Sequence, residues 1–127
     1  MSSKQTPPHN SVCFYDLATP SPGETRRFYG DVFGWKFMDQ GGYEFIHDGS
    51  PDGGALLMGG LRQRAAFDAG GVLTYINVAS LEATTKKITA AGGQLVSPRI
   101  DIPGFGAFVI FEAPGGVRQA AWEGAKK

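Results

Sequence analysis

The sequence predicts an α+β fold made of two βαβββ modules. Short runs of β-branched and aromatic residues recur along the chain, and turns rich in its 19 Gly and 8 Pro separate them, which is typical of many short strands. Two capped amphipathic segments interrupt these runs and indicate helices. The order of one strand, one helix and three strands occurs twice at an offset of about 59 residues, which indicates an internal duplication.

The first predicted helix begins after Ser21, whose hydroxyl is placed to accept from the amides of the first turn while Glu24 completes a capping box. Gly34 is the expected C-terminal stop. One face of this helix is apolar and comprises Thr25, Phe28, Tyr29, Val32 and Phe33. We expect Phe28 and Tyr29 to pack from this helix under the sheet of the first module.

The remaining elements follow from local patterns. Strands of the first module are predicted at residues 12–17, 35–37, 43–46 and 53–60, and those of the second at 72–78, 94–96, 105–113 and 117–123. The second helix is predicted to begin at the cap Ser80, to turn Leu81 and Ile88 inward, and to end at Gly93. The chain is thus expected to form a single domain, 1–127, with modules at about 10–62 and 70–124 and a linker at 63–70.

The amino-acid composition limits the classes of molecule that the chain is expected to bind. The chain has 127 residues with 12 basic and 12 acidic side chains, so no net charge favours nucleic acid or an anionic membrane. Cys13 is the only cysteine, which rules out an intramolecular disulfide. The first residues lack the apolar core of a signal peptide, and no apolar run approaches the roughly 20 residues of a membrane span. We expect a cytoplasmic protein whose partner is a small molecule or another protein.

Three motifs carry a resemblance to a known family. They are the strand end Asp16–Thr19, the helix end Phe28–Trp35 and the loop Ile102–Gly106. With them, nearly the whole chain resembles the vicinal oxygen chelate superfamily of glyoxalase-like, bleomycin-resistance-like and extradiol dioxygenase-like proteins, and especially a bacterial branch of it. The resemblance implies two modules whose curved mixed sheets enclose a cleft. It does not fix an activity, because the superfamily uses one scaffold for isomerases, epimerases, oxygenases and binding proteins.

The resemblance also implies a divalent metal ion held by His, Gln or Glu side chains on the first and last strand of each module. The matching positions in this chain are Cys13 or Phe14, Met58, Leu73 or Thr74, and Ala120. These side chains include no imidazole and no carboxylate, so the usual centre is expected to be lost, and a register slip adds only Thr74 and Gln119. His9 and His47 are interpreted as a tail and a turn residue. We therefore expect no cofactor, although a metal with ligands at other positions stays open.

Aromatic residues on alternating strand positions predict an apolar ligand-binding cleft. Its expected lining is Cys13, Tyr15, Met58, Leu73, Tyr75, Phe105, Ala120 and Trp122. The favoured hypothesis is a protein that binds a small apolar or aromatic molecule there without a metal. The alternative is a metal-dependent lyase, isomerase or dioxygenase of the glyoxalase type with non-standard ligands. A weaker one is a metal-free lyase or isomerase in which Asp16 or Glu44 is the general base.

The expected quaternary structure is a homodimer. Two-module members of the superfamily commonly pair into four-module assemblies, and an open strand edge invites pairing. Tyr15, Phe45 and Trp122 are the residues expected to lose exposure, with Arg26, Arg27 and Asp31 left in solvent. A monomer whose two modules close on each other is the alternative.

Overall fold

The computed structural model describes residues 8–40, 43–47, 58–65 and 71–125, without the side chains of Gln40 and Met58. Contacts divide the chain into two compact units. Unit 1 comprises the described residues between 14 and 73, and unit 2 comprises residues 8–13 with 74–125. Two strands, residues 12–19 and 72–77, cross these boundaries by two residues each, and each is described with the unit that contains its other residues. The predicted strand residues 53–57 and linker residues 66–70 lie outside the described part of the chain. No helix in the described ranges is long and apolar enough to cross a membrane.

Unit 1 contains one helix and a four-stranded sheet. Its elements are β1 (Val12–Thr19), α1 (Pro22–Phe33), β2 (Lys36–Gln40), β3 (Tyr43–His47) and β4 (Met58–Gln63). The strand order is β2-β3-β4-β1. Strand β1 runs parallel to β4, and the other two pairs are antiparallel. The backbone amide of Ala18 on β1 donates to the carbonyl oxygen of Gly71 at 2.8 Å.

Unit 2 repeats this topology. Its elements are β5 (Val72–Asn77), α2 (Leu81–Ala90), β6 (Gln94–Leu95), β7 (Ile100–Ile102), β8 (Gly106–Ala113) and β9 (Val117–Gly124). Strand β5 runs parallel to β9, which is antiparallel to β8. Strands β6 and β7 both pair antiparallel with β8. In each unit the first strand is therefore parallel to the last, and the predicted duplication is confirmed. The short β7 is an addition that the sequence analysis did not predict.

Helix α1 differs from its prediction at its N-terminus and on its apolar face. Ser21 precedes the helix, but its side chain makes no capping hydrogen bond, so the predicted capping box is wrong. Its backbone amide instead donates to the hydroxyl of Thr19 at 3.0 Å. No residue of α1, which is described over its full length, is buried, and Phe28 remains 54% exposed. The expected packing of Phe28 under the sheet is wrong as well. Gly34 ends the helix in the left-handed conformation at φ 74°, as predicted.

Helix α2 packs closely on its own sheet. Ser80 caps it by accepting from the amide of Ala83 at 3.1 Å, as predicted. The helix ends earlier than predicted, because Ala91 is the cap and Gly92 takes the positive φ of 97°. Leu81 is 2% exposed. The core of unit 2 on this side comprises Val78, Leu81, Ala107, Val109 and Ala121.

Candidate functional site

Each sheet has one face that carries the helix of its unit. In unit 1 an ion pair between Arg26 of α1 and Glu44 of β3, 2.7 Å long, identifies that face. Glu44 is in register with Leu61, and Leu61 with Leu17. Because side chains alternate along a strand, Tyr15 shares the helix-bearing face and Asp16 lies on the opposite, helix-free face.

The helix-free face of unit 1 contains a buried ionic network. Asp16, whose side chain is only 1% exposed, accepts a 2.7 Å hydrogen bond from Nε of Arg62 through Oδ2. The hydroxyl of Tyr43 donates to Oδ1 of the same carboxylate. The side chain of Arg62 is 18% exposed, and its Nη1 donates to the carbonyl oxygen of Gln63 at 3.4 Å. One carboxylate thus fixes the positions of two longer side chains that reach toward the surface.

Gly60 makes this network sterically feasible. It lies on β4, opposite Asp16 of β1 on one side and Phe45 of β3 on the other. The ring of Tyr43 crosses β4 at this position, and a Cβ atom on residue 60 would collide with the phenol oxygen and the ring carbons. Glycine therefore allows a close approach that any other residue would block.

Three aromatic rings lie beside the network on the same face. The ring centroids of Tyr43 and Phe45 are 5.0 Å apart in an edge-to-face arrangement. Phe14 lies 6.2 Å from Tyr43 and 6.5 Å from Phe45. All three rings are half-buried. The result is a partly accessible aromatic surface next to a guanidinium held in place by a buried carboxylate.

The helix-free face of unit 2 has aromatic and apolar side chains at the positions where the helix-free face of unit 1 has the ionic network. Tyr75 is in register with Ala120, and Phe108 with Trp122. The Tyr75 and Phe108 rings are 5.1 Å apart, and those of Phe108 and Trp122 are 6.4 Å apart. Tyr75, Phe108 and Ala120 are buried, while Trp122 is half-buried. At the edge of this face Arg118 donates to Glu112 at 2.9 Å.

The residues predicted to line a cleft are distributed over both units. Leu73, Tyr75, Ala120 and Trp122 share one alternation of the β5 and β9 strands. Tyr15 lies on the helix-bearing face of unit 1, where its ring occupies the space above Gly59. Phe105 is exposed in the turn between β7 and β8. Met58 is in register with Phe14, and its side chain lies outside the described part. Membership of a common cleft stays a prediction for all of them.

Two titratable side chains named in the sequence analysis, Glu44 and Cys13, have environments that explain them structurally. Glu44 accepts from Nε and Nη2 of Arg26 at 3.1 and 2.7 Å, and this hydrogen bonding raises the pKa of Arg26. Glu44 therefore has an ion-pairing role on the helix-bearing face.

Cys13 is half-buried. Burial raises the pKa of its thiol, an effect that its own backbone hydrogen bond partly offsets, so the thiolate is disfavoured at neutral pH.

The side chains at the expected metal-ligand positions do not suit a metal ion. Phe14, Leu73 and Ala120 have no donor atoms. Thr74 and Gln119, the alternatives after a register slip, hydrogen-bond to each other at 2.8 Å. They lie on the helix-bearing face of unit 2, since Gln119 shares the alternation of Ala121. Among the described residues no group of three or more His, Cys, Asp and Glu side chains is placed to hold an ion. We derive no chemistry through a metal.

Three residues complete the network around Asp16 and were not among the site residues predicted from the sequence: Arg62, Tyr43 and Gly60. The partners of Asp16 are 27 and 46 residues away in sequence, so no local spacing connects them. One signal was available. The glycine pair Gly59 and Gly60 sits within an otherwise apolar strand pattern, and such a pair indicates a close approach of neighbouring groups.

Comparison with known proteins places the chain in a family. The model of the Glyoxalase/Bleomycin resistance protein/Dioxygenase superfamily matches residues 11–120. No curated protein matches. Methylmalonyl-CoA epimerase from Mycobacterium tuberculosis is a similar solved structure at TM-score 0.62 and 14% identity, over 91% of this chain and 89% of that one.

Two further solved structures have a similar fold. A glyoxalase/bleomycin resistance protein/dioxygenase superfamily member from Vibrio splendidus 12B01 has TM-score 0.60 and 14% identity, over 88% of this chain and 97% of that one. The Mn(II)-bound glyoxalase from Novosphingobium aromaticivorans has TM-score 0.52 and 19% identity, over 93% of this chain but 40% of that one. At such low sequence identities, the structural similarity establishes the fold but not an activity. The family model covers most of the sequence, and the chain belongs to the Glyoxalase/Bleomycin resistance protein/Dioxygenase superfamily.

Proposed function

We propose that the chain binds a small apolar or aromatic molecule on the helix-free face of unit 1, without the chemistry of a metal ion. The observation that carries the proposal is the half-buried ring cluster of Phe14, Tyr43 and Phe45 beside Arg62. Rings held edge to face present flat and edge surfaces on which an aromatic ligand can stack. The corresponding rings Tyr75 and Phe108 of unit 2 are buried, which favours unit 1 as the ligand surface.

Arg62 supplies the polar contact in this proposal. Its Nε donates to Asp16, and the side chain, which is 18% exposed, lies on the same face of the sheet as the rings. A cation beside an aromatic surface favours a ligand that combines a ring with a carboxylate or another anionic oxygen. Asp16 is fully buried and has no surface to offer a ligand. Its proposed role is therefore to position Arg62 and Tyr43, which disfavours a general base at this residue.

The test uses 1-anilinonaphthalene-8-sulfonate, an aromatic anion whose fluorescence rises on binding. We expect saturable binding with one site per chain. Phe45→Ala should weaken it roughly fivefold to tenfold, because an aromatic contact contributes about 0.5–1.5 kcal/mol beyond the area it buries. The matched control is Phe105→Ala, which removes an exposed ring from the turn before β8 and should change the affinity less than twofold. Thermal melts of both variants establish that each is folded.

Two outcomes would contradict this site. If Phe105→Ala weakens binding and Phe45→Ala does not, the ligand surface includes the 102–106 turn, as the sequence analysis predicted. If neither variant changes the affinity, the ring cluster is not the binding surface.

The metal-dependent alternative is tested separately. We expect dialysed protein to contain less than about 0.1 Ni, Zn, Fe or Mn per chain, and binding of the probe to be the same with and without EDTA. This expectation rests on the donor chemistry of Phe14, Leu73 and Ala120. One tightly held metal ion per chain would overturn the metal-independent part of the proposal and favour a lyase, isomerase or dioxygenase with non-standard ligands.

A further inference from the structure

The hydrogen bonds around Asp16 fix the direction in which the neighbouring polar groups can bond. Oδ1 of the carboxylate accepts the hydrogen of the Tyr43 hydroxyl, and Oδ2 accepts from Nε of Arg62 at 2.7 Å. A carboxylate only accepts hydrogen bonds, and a phenol has a single hydrogen to donate. Because that hydrogen is directed to Asp16, any further hydrogen bond of the Tyr43 oxygen is one that it accepts.

Arg62 has the opposite polarity. A guanidinium only donates, and here Nε donates to Asp16 while Nη1 donates to the carbonyl oxygen of Gln63 at 3.4 Å. One carboxylate binds both Arg62 and Tyr43, so the guanidinium and the phenol oxygen lie within two hydrogen bonds of each other. The network therefore places a cationic donor and a neutral acceptor side by side on the helix-free face of unit 1.

The phenol oxygen of Tyr43 lies above a position that has no side chain. It crosses β4 at Gly60, where an added Cβ atom would collide with the oxygen itself. Tyr43 is half-buried, whereas Asp16 has no exposed surface. A molecule on the ring cluster can therefore reach the Tyr43 side chain, and it cannot reach the carboxylate that orients the hydroxyl.

We propose that Tyr43 determines the specificity of the ligand surface proposed above, on which this inference rests. The class of ligand selected is an aromatic acid with a hydrogen-bond donor, NH or hydroxyl, close to the acid group. The acid group contacts Arg62, and the donor bonds to the Tyr43 oxygen. An ether oxygen in place of the donor meets the lone pairs of the phenol oxygen, so two acceptors are opposed and the ligand binds less tightly.

The test compares three acids that share a naphthalene ring and differ in one linking group. They are N-(1-naphthyl)glycine, (1-naphthyloxy)acetate and 3-(1-naphthyl)propionate, in which an NH, an oxygen and a methylene group occupy the same position. Their affinities are measured by displacement of 1-anilinonaphthalene-8-sulfonate from the unmodified chain. We expect the NH compound to bind about fivefold more tightly than the ether, which is the size of one net hydrogen bond.

Two tyrosine variants assign the preference to its cause. Tyr43→Phe keeps the ring and removes the hydroxyl, and it should reduce the preference for the NH compound over the ether to less than twofold. The matched control is Tyr15→Phe, because Tyr15 crosses the same strand at the neighbouring Gly59 on the helix-bearing face. It should retain the full preference. Thermal melts establish that both variants are folded, and the ranking of the three acids by the unmodified chain needs no variant.

Binding of the same acids to Phe45→Ala distinguishes a wrong specificity from a wrong site. If the unmodified chain binds the NH compound and the ether equally and Phe45→Ala weakens both, the ligand surface is retained and the role of Tyr43 is wrong. A tighter ether would mean that the Tyr43 hydroxyl donates to the ligand, which also overturns the proposal, as does a preference that persists in Tyr43→Phe. If none of the acids displaces the probe, the specificity and the proposed class of ligand both fail.

Discussion

The two units use the same strand pairing to build helix-free faces of opposite chemistry. In register, Asp16 opposite Gly60 corresponds to Tyr75 opposite Ala120. Two residues further along the last strand of each unit, Arg62 of β4 corresponds to Trp122 of β9. On the neighbouring strand, Tyr43 of β3 corresponds to Phe108 of β8. A carboxylate, a phenol and a guanidinium in unit 1 thus occupy the places of three aromatic side chains in unit 2. The backbone topology of the duplication is retained, and the side-chain chemistry has diverged.

The two helix-free faces differ in what they contribute to the stability of the fold. The aromatic set of unit 2 contributes to stability by burial, at about 25 cal/mol per Å² of apolar surface, and by its ring contacts. The ionic set of unit 1 is costly to desolvate and is weak evidence for stability. The presence of such a network at only one of two equivalent places is the reason for proposing unit 1 as the functional face.

The largest expected effect is that of removing Asp16. Asp16→Ala should lower the free energy of unfolding by about 3–5 kcal/mol, because it leaves Arg62 without its buried counter-charge and Tyr43 without its acceptor. Urea denaturation followed by circular dichroism measures the change.

The matched control is another Asp→Ala substitution that breaks an arginine pair. Asp101 accepts from Arg99 at 3.1 Å in unit 2, with both side chains more than half exposed. Asp101→Ala should cost less than about 1 kcal/mol. Equal losses for the two variants would show that the network of Asp16 behaves as a surface ion pair and that the contrast between the faces has no energetic basis.

The sequence was sufficient for the fold because the fold is encoded locally and twice. Ser80 before an amphipathic run, Gly34 after another, and the alternating strands each predict their own element, and the repeat confirms them. The candidate site was harder to predict from the sequence, because it depends on which face of the sheet each side chain occupies. Tyr15 and Asp16 are neighbours in sequence, yet they lie on opposite faces, and a one-residue choice of face decides which belongs to the site.

The apolar face of α1 shows a second reason why local patterns fall short. Its period predicts that Phe28 faces the sheet, but Phe28 is 54% exposed, and it is Arg26, outside the apolar face, that pairs with Glu44 of β3. Helical periodicity identifies which residues share a face, and it does not say what that face contacts.

The second prediction compares the two helices. Leu81→Ala should lower the free energy of unfolding by about 3 kcal/mol, because Leu81 is 2% exposed among Val78, Ala107 and Val109 and its loss leaves a cavity. Phe28→Ala should cost less than about 1 kcal/mol, although it removes a larger side chain, because Phe28 is exposed. Both are measured by urea denaturation. A loss above about 3 kcal/mol for Phe28→Ala would show that α1 packs on its sheet after all.

The smallest expected effect concerns Gly60, where unit 2 has Ala120. Gly60→Ala should destabilise the chain by about 1–3 kcal/mol, since the added methyl group would displace the ring of Tyr43 from Asp16. Gly71→Ala is the control, because a Cβ atom there meets no other group within 4 Å. It should change the stability by less than about 0.5 kcal/mol.

A double-mutant cycle assigns the cost of Gly60→Ala to its cause. In a Tyr43→Ala background the methyl group has no ring to displace, so Gly60→Ala should then cost at least about 1 kcal/mol less than in the unmodified chain. Additive losses would mean that the methyl group collides with something other than Tyr43, and Gly60 would not be the reason that the phenol reaches Asp16. A coupled loss makes this glycine the steric condition for an ionic face. In unit 2 the corresponding position is Ala120, and the Tyr75 and Phe108 rings meet there from the strands on either side of β9.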